Sequence, residues 1–337
     1  VVGVVGSAPG EDGTILARSI ILGSPAPPAS TPAKQMQEYH TKQQNNQPLS
    51  IWAASGPYTT SDDLDYSPLK DLLAACRQAK PDAVVLLGPF VDADHPLAKN
   101  NDLKEGDESV DAATLFVLKV AWALEKLVIE EDCPTQFILA PATRDLVAEP
   151  VFPQPPLDAP PLGTVNDARP SWQDEMPVGS LELPSQVHVV GNPGLFKINE
   201  VVVGVPATDC LFELSSQEQL HNGRDNSDIA KMPRVARLAS HLLSQRSFYP
   251  LFPPPSMSST VADAPVDLRQ HGKWKLPLQP DVLITPSKLQ PFARDVQGCL
   301  VLNPGHLSKG AGGGTFSQLT VHPLTGDGDE VLSLIHI

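Results

Sequence analysis

The chain has 337 residues, 41% of them hydrophobic, which is enough for a large buried core, and no apolar run approaches the roughly 20 residues that cross a bilayer. Its net charge is −15, with 24 Lys and Arg against 39 Asp and Glu and no basic run. Because phosphate neutralisation supplies most nucleic-acid affinity, this balance argues against direct nucleic-acid binding as the main task and favours a basic protein partner.

The first 48 residues are predicted to form a small hairpin and a linker. Val1–Val5 and Thr14–Leu22 are β-like runs around a Gly/Asp-rich turn, and together they are too small to form a domain. The chain starts without Met, in what reads as a strand entered midway, so we expect a fragment of a longer protein and no signal peptide. The proline cluster Ser24–Pro32 and the polar stretch Ala33–Pro48 predict an extended linker, because proline blocks both helices and central strands.

From residue 49 onward, short strands alternate with helices. The predicted strands are Leu49–Ala54, Asp82–Leu87, Thr135–Ala140, Val187–Val190, Glu200–Val205, Asp281–Thr285, Cys299–Asn303 and Thr315–Val321, and the predicted helices are Pro68–Gln78, Ser109–Ile129 and Ile229–Gln245. The strands on either side of the turn Gly191–Asn199 are expected to pair. The proline-rich segments Glu149–Pro184 and Phe252–Pro277 are predicted to be surface excursions. The alternation predicts an α/β architecture with helices covering a mixed sheet.

Several strands end in loops of the kind that carry the chemistry of α/β enzymes at the carboxyl edge of a sheet. These loops are Ser55-Gly56-Pro57-Tyr58, Gly88-Pro89-Phe90-Val91-Asp92, Ala142-Thr143-Arg144-Asp145 and Thr285-Pro286-Ser287-Lys288-Leu289, followed by a strand ending in Asn303-Pro304-Gly305. In order and spacing they resemble the metal-binding loops of calcineurin-like metallophosphoesterases. The resemblance implies a metallophosphoesterase-type mixed β-sandwich with flanking helices.

Enzymes of that family use two metal ions to activate a water molecule for attack on phosphorus. The resemblance places the following residues at the metal-ligand positions: Gly56, Tyr58, Pro89, Thr143, Arg144, Ser287 and Leu289. Glycine, proline and leucine side chains offer no donor atom, and an arginine cation opposes metal charge. Asp92 and Asp145 remain, but they stand at accessory positions that do not coordinate metal. We therefore expect no metal, no cofactor and no catalytic residue.

A degenerate phosphoesterase fold of this kind resembles the B subunits of eukaryotic replicative DNA polymerases. The stretches that favour the alpha-polymerase branch are Gly56–Asp62, Gly88–Asp92, Glu149–Pro156, Gln245–Pro253, Pro280–Ile284, Asn303–Gly310 and Gly313–Phe316. The resemblance spans Leu49–Pro323. It implies that residues 1–23 are the remnant of an OB fold, namely its closing hairpin, and 24–48 a linker. Residues 49–325 would then form an inactive phosphoesterase-like domain, and 326–337 an atypical tail.

The function that the resemblance implies is that of a non-catalytic, nuclear scaffold subunit of the DNA polymerase alpha–primase complex. Its expected partner is the zinc-binding C-terminal region of the catalytic polymerase subunit, with primase reached through the complex and DNA contacted only indirectly. Two alternatives remain open: a B subunit of another replicative polymerase, and an active metal-dependent phosphoesterase.

Three groups of residues could be read either as functional sites or as ordinary structural features, and we favour the structural interpretation for each. The cysteines lack the paired spacing of disulfide or zinc sites and are predicted to be reduced core thiols: Cys76, Cys133, Cys210 and Cys299. Gly310–Gly314 leads into a strand-like run and predicts a turn, since a phosphate-binding P-loop continues into a helix. Asp92, Asp94 and His95 are predicted to form a solvated loop and not a metal cluster.

Two further segments keep two interpretations. The aromatic run Phe248–Phe252 suits packing against a sheet edge, and it also suits a partner-binding patch. Ser24-Pro25 and Thr31-Pro32 have the form of proline-directed kinase sites, so the protein is a candidate phosphoprotein.

Overall fold

A computed structural model describes residues 3–6, 17–21, 23–157, 183–218, 232–255, 265–323 and 333–336. The strands are β1 Gly3–Gly6, β2 Ala17–Ile21, β3 Leu49–Ser55, β4 Ala83–Leu87, β5 Lys104–Glu105, β6 Glu108–Ser109, β7 Gln136–Ala140, β8 Val187–Val189, β9 Gly194–Ile198, β10 Val201–Val205, β11 Val282–Ile284, β12 Phe292–Val296, β13 Cys299–Asn303, β14 Ser308–Lys309, β15 Gly312–Gly313, β16 Ser317–Val321 and β17 Ser333–His336. The helices are α1 Ala33–Glu38, α2 Ser67–Ala79, α3 Pro96–Lys99, α4 (residues 112–130), α5 Cys210–Gln217, α6 Arg234–Ser244 and the 3-10 helix Leu268–Trp274. Among the described residues, no helix is long and apolar enough to span a membrane.

Two mixed sheets form the centre of the molecule. The six-stranded sheet has the order β17-β16-β3-β4-β7-β8, in which β3, β4, β7 and β8 run parallel and β16 and β17 run antiparallel to their neighbours. The five-stranded sheet has the order β12-β13-β11-β10-β9, with β10, β11 and β13 parallel and the edge strands antiparallel. Among the parallel strands, β4, β10 and β11 are short apolar runs because both of their faces are covered.

The two sheets pack face to face, and helices cover their outer faces. The core between the sheets contains Ile51, Val85 and Leu87 from one sheet and Val203, Ile284 and Leu302 from the other. Successive strand residues point to opposite faces, so the neighbouring Trp52 and Leu86 belong to a second core beneath α2 and α4. A third core lies between the five-stranded sheet and α5, α6 and the 3-10 helix. The predicted mixed α/β architecture is confirmed as four layers: helix, sheet, sheet, helix.

One predicted strand pairing is wrong. Val187–Val190 and Glu200–Val205 were expected to pair, but β8 joins β7 in the six-stranded sheet, and β10 pairs with β9 and β11 in the other. The predicted turn between them contains β9, whose Phe196 and Ile198 pack against the core between the sheets. The tight turn is shorter and is centred on Asn199, which adopts a left-handed φ of 51° that asparagine tolerates.

Two predicted helices begin later than expected. Helix α4 begins at Ala112 and not at Ser109, because the Asp111 side chain accepts a hydrogen bond from the Thr114 N–H (2.7 Å) and so caps the helix. Helix α6 begins after Pro233, whose missing N–H is tolerated at a helix start. The earlier part of that prediction, Ile229–Lys231, lies outside the described residues.

Residues 23–48, which we call the strap, are not extended throughout as predicted. Residues 33–43 are helical, since this part contains no proline and is rich in the helix formers Ala, Lys, Gln, Met and Glu. The strap is tied to the sandwich at several points: Arg246 Nε donates to the Ser24 carbonyl (3.0 Å), the Ala29 N–H donates to the Gln279 carbonyl (2.8 Å), and His40 Nε2 lies 2.9 Å from Glu200 Oε1. It therefore packs as part of the domain surface.

At the two chain ends, only strands are described. β1 and β2 pair as an antiparallel hairpin, in agreement with the two β-like runs that the sequence predicts there. In the segment 326–337, β17 pairs antiparallel with β16 and forms the edge of the six-stranded sheet.

Candidate functional site

The loops that follow the parallel strands of both sheets converge on one edge of the sandwich. They enclose a small cavity of about 20 Å³, which we call the cleft, and its lining residues are Ser55, Gly88, Pro89, Ala142, Arg144, Ala207, Asp209, Pro286, Lys288 and His306. A cavity needs roughly 10–15 Å³ of such volume to hold one water molecule. The cleft therefore has room for about one water.

Gly56 and Pro89 close the cleft from the side of the six-stranded sheet. The Gly56 N–H donates to the Leu87 carbonyl (2.8 Å), which brings the loops after β3 and β4 into contact. A Cβ atom at Gly56 would lie 2.0 Å from the Pro89 carbonyl oxygen, and one at Gly88 would lie 2.1 Å from Asp145 Oδ2. Because the first obstacle is backbone, position 56 has no space for an aspartate side chain.

The Tyr58 side chain points into the core beneath α4 and not into the cleft. It is 1% exposed, its hydroxyl donates to the Leu87 carbonyl (3.0 Å), and its ring stacks on Phe90 with centroids 5.2 Å apart. Burial raises the pKa of the Tyr58 hydroxyl well above its ordinary value. Tyr58 is thus a neutral packing group.

Asp145 links two of the loops from a buried position. Its Oδ1 accepts hydrogen bonds from the N–H groups of Phe90 and Val91, the latter at 3.1 Å, and its Oδ2 accepts from the Ala142 N–H (2.8 Å). Burial raises the pKa of Asp145 to about 7, although these three hydrogen bonds act in the opposite direction. Asp145 therefore holds the backbone of the β4 loop against the β7 loop.

Arg144 occupies the centre of this edge with two acidic neighbours. Its guanidinium lies 3.3 Å from Asp92 Oδ2 and 3.1 Å from Asp94 Oδ2. Burial raises the pKa of Asp92 above its ordinary value, although the nearby cation of Arg144 acts in the opposite direction. Asp94 also pairs with Lys99 (2.9 Å), and His95 Nε2 lies 2.8 Å from the Thr60 carbonyl. The side chains of Asp92, Asp94 and His95 thus all interact with other groups of the protein.

On the other side of the cleft, the polar side chains that follow the strands of the five-stranded sheet form hydrogen bonds with backbone groups. Asp209 Oδ2 accepts from the Lys288 N–H (2.7 Å), and its Oδ1 accepts from the Phe212 N–H (3.0 Å) at the start of α5. His306 Nδ1 lies 2.7 Å from the Gly56 carbonyl, and burial lowers the pKa of this histidine. Asn303 Oδ1 accepts from the Ser287 N–H (3.0 Å).

The remaining predicted positions do not line the cleft. Thr143 and Ser287 are buried, and Ser287 Oγ accepts a hydrogen bond from the Leu289 N–H (3.1 Å). Leu289 packs against the core beneath α5 and α6. Of the seven positions assigned to former ligands, Pro89 and Arg144 line the cleft, and Gly56 reaches it through its carbonyl contact with His306.

Comparison with known proteins shows the family to which these loops belong. The model of the DNA polymerase alpha/epsilon B subunit family matches residues 51–294. The chain is 34% identical to the DNA polymerase alpha B subunit of Schizosaccharomyces pombe, over 96% of the chain and 51% of the relative. The chain belongs to the DNA polymerase alpha/epsilon B subunit family.

Further relatives carry the same name. The chain is 35% identical to the DNA polymerase alpha B subunit of Mus musculus, over 80% of the chain and 39% of the relative, and 26% identical to that of Saccharomyces cerevisiae, over 89% and 43%. These matches confirm the predicted resemblance to the alpha-polymerase branch. The chain spans about half the length, or less, of these curated relatives.

In this member of the B subunit family, the cleft residues do not fit a pair of divalent metal ions. Position 56 has no room for a ligand side chain, and the Arg144 guanidinium pairs with Asp92 and Asp94, where its positive charge opposes that of a metal ion. Among the residues that the structure describes, no group of three or more His, Cys, Asp or Glu side chains is arranged to hold a metal.

Three residues with ionisable side chains line the cleft but were not among the predicted site residues: Asp209, Lys288 and His306. A signal for Asp209 was present, since it follows the buried strand β10 just as the other loops follow theirs. Lys288 and His306 lie in the strand-end motifs themselves, but neither stands at a position where metallophosphoesterases carry a metal ligand. The motif pattern therefore gave no reason to expect the side chains of these two residues in the cleft.

An acid introduced at position 56 should fail to create a metal site. Gly56→Asp is expected to lower the free energy of unfolding by about 1–3 kcal/mol, because the new side chain meets the Pro89 backbone. Urea unfolding measures the stability, and calorimetric titration with Mn²⁺ measures metal binding. Gly272→Asp is the matched control, because a Cβ there meets nothing within 4 Å. Tight Mn²⁺ binding by the Gly56→Asp variant would contradict this account of the cleft.

Asp145 should make stability fall as pH rises. With a folded-state pKa of about 7, against about 3.9 in the unfolded chain, the folded state binds more protons between these values. The free energy of unfolding of the parent minus that of Asp145→Asn should therefore decrease from pH ~5 to ~7, by at most about 1.4 kcal/mol per pH unit. Urea unfolding across this range tests it, and the subtraction cancels the titrating groups that do not interact with Asp145. A difference that is constant or that rises with pH sinks the interpretation.

Proposed function

We propose that this chain is a non-catalytic scaffold subunit of the DNA polymerase alpha–primase complex. The observation that carries the proposal is the small cleft: its ionisable side chains hydrogen-bond or pair within the protein, and the space that is left has room for about one water. A hydrolytic site needs an open position for substrate and for an activated water. The family and the names of the relatives supply the polymerase context.

The fold is proposed to be a metallophosphoesterase-type sandwich that has lost its metal ligands. The four-layer order and the convergence of the strand-end loops support this. Within it, residues 49–325 are assigned to the inactive domain, 1–23 to the remnant of an OB fold, 24–48 to the linker and 326–337 to an atypical tail. Gly56, Tyr58, Pro89, Thr143, Arg144, Ser287 and Leu289 then stand at former ligand positions, and Asp92 and Asp145 are retained accessory acids.

The proposed direct partner is the zinc-binding C-terminal region of the catalytic polymerase subunit, with primase and DNA reached through the complex in the nucleus. The net charge of −15 supports a basic partner. Phosphorylation of Ser24 and of Thr31 remains a prediction. Ser24 is exposed, whereas the Thr31 hydroxyl donates to the Glu200 carbonyl (3.1 Å).

Partner choice is tested by co-expression. The chain should co-purify with the C-terminal region of the alpha catalytic subunit and not with that of the epsilon catalytic subunit, the other branch that the family description names. Size-exclusion chromatography of the co-expressed pair gives the measurement. Retention by epsilon alone would favour the alternative that this is a B subunit of another replicative polymerase.

Phosphoesterase activity is expected to be absent. Hydrolysis of bis-p-nitrophenyl phosphate with added Mn²⁺ should not exceed the rate of the buffer, because the cleft supplies neither a metal-ligand set nor substrate space. Phe316→Ala, a substitution outside the cleft lining, serves as a preparation control for contaminating enzymes. Robust turnover that disappears only with cleft substitutions such as Arg144→Ala would establish the alternative of an active enzyme.

A further inference from the structure

A much larger cavity, of about 440 Å³, lies beneath the strap. Its walls come from the strap, from the amino ends of β10 and β11, and from the carboxyl end of β16, which runs antiparallel to β3. The cleft, by contrast, lies at the carboxyl ends of the parallel strands. The two cavities therefore occupy opposite edges of the sandwich, and we call this one the strap cavity.

The strap cavity is acidic. Glu200, Asp281 and Asp295 line it, with His40 and His322, and its described lining includes neither lysine nor arginine. Lys197 donates to Thr31 Oγ1 (3.2 Å) but lines a neighbouring cavity. A cation that enters the strap cavity would thus meet three carboxylates without a competing Lys or Arg among the lining residues.

Glu200 provides a second, independent sign of a cationic ligand. Its side chain is only 10% exposed, and its Oε1 is taken up by His40 Nε2 at 2.9 Å. Its Oε2 is enclosed and has no hydrogen-bond partner among the described residues. A buried carboxylate oxygen without a donor is costly, so a ligand that donates a hydrogen bond to Glu200 recovers that energy.

The other walls are apolar, which narrows the chemistry of the occupant. Val201, Val282, Leu300, Leu319 and Met36 line the same space. A long aliphatic stem with a charged head matches such a lining, as in lysine and arginine. The planar guanidinium with its five N–H donors can bond to more than one carboxylate at once, which a single ammonium does less well. A metal ion fits less well, because no described group of three or more ligating side chains surrounds this space.

We propose that the strap cavity binds an arginine side chain presented by an extended segment of a basic partner protein. Glu200 is the main carboxylate, Asp281 and Asp295 add to the attraction, and the apolar walls take the aliphatic stem. The strap forms the outer wall, so binding also fastens residues 23–48 to the sandwich. The site is independent of the polymerase assignment, and its test uses no polymerase subunit.

Methyl NMR of Met36 tests the proposal on the full chain. The sequence has four methionines, and Met36 lines the cavity, so ¹³C-methyl labelling gives a simple spectrum, assigned with Met36→Leu. Acetyl-Gly-Arg-Gly-amide is expected to shift the Met36 signal saturably. The citrulline analogue, a neutral isostere, should bind at least about tenfold more weakly, the usual effect of losing a charge-assisted hydrogen bond.

Substitutions then locate the site. Glu200→Gln should weaken binding of the arginine peptide by about tenfold or more, whereas Glu149→Gln, at an exposed glutamate in the loop after β7, should leave it unchanged. If Glu200→Gln fails to fold, Asp295→Asn and the citrulline comparison decide in its place. The proposal is overturned if Met36 shows no saturable shift, if citrulline binds as well as arginine, or if the Glu200 and Asp295 variants bind like the parent.

Discussion

Asp145 accepts hydrogen bonds from three backbone N–H groups, those of Phe90, Val91 and Ala142, and the shape of the whole strand-end edge depends on this contact. A buried carboxylate is costly unless its lone pairs are satisfied, and here the satisfying donors belong to two different loops. The loops are therefore drawn together until Gly88 has no room for a Cβ beside Asp145. The same close approach sets Pro89 against Gly56 and closes the cleft.

The ionisable side chains of this edge are engaged in contacts within the protein. Arg144 pairs with Asp92 and Asp94, Asp209 caps α5 and binds the Lys288 backbone, and His306 meets the Gly56 carbonyl. In a metal enzyme these positions would keep lone pairs free for ions. Here each of these polar groups has a protein partner of its own, so their interactions stabilise the loops. Such a site restrains the loops without requiring a ligand.

The sequence was informative where the signal is local. Asp82–Leu87 is a continuous apolar run and matches β4 closely, and the loops after β3, β4 and β7 were located because each follows such a strand. The sequence patterns did not predict the structure where contacts between residues far apart in the chain determine it. No residue near Val187 or Val201 indicates that their strands belong to different sheets, because packing in the core between the sheets determines which sheet each strand joins. The enclosure of Gly56 by the Pro89 carbonyl depends on residues 33 positions away, and a motif alignment shows only that the ligand is missing.

The two edges of the sandwich thus differ in a way that bears on function. At the carboxyl edge, the charged groups have partners within the chain, although the buried hydroxyls of Thr143 and Thr285 have none among the described residues, and the cavity has room for about one water. At the amino edge, the strap crosses a space about twenty times larger, where Glu200 keeps an oxygen without a donor among the described residues. Unsatisfied buried charge is costly, and a fold retains it most readily where an outside group supplies the missing bond. The strap cavity therefore keeps a buried acidic acceptor without a described donor, under a strap that contacts residues 200, 246 and 279.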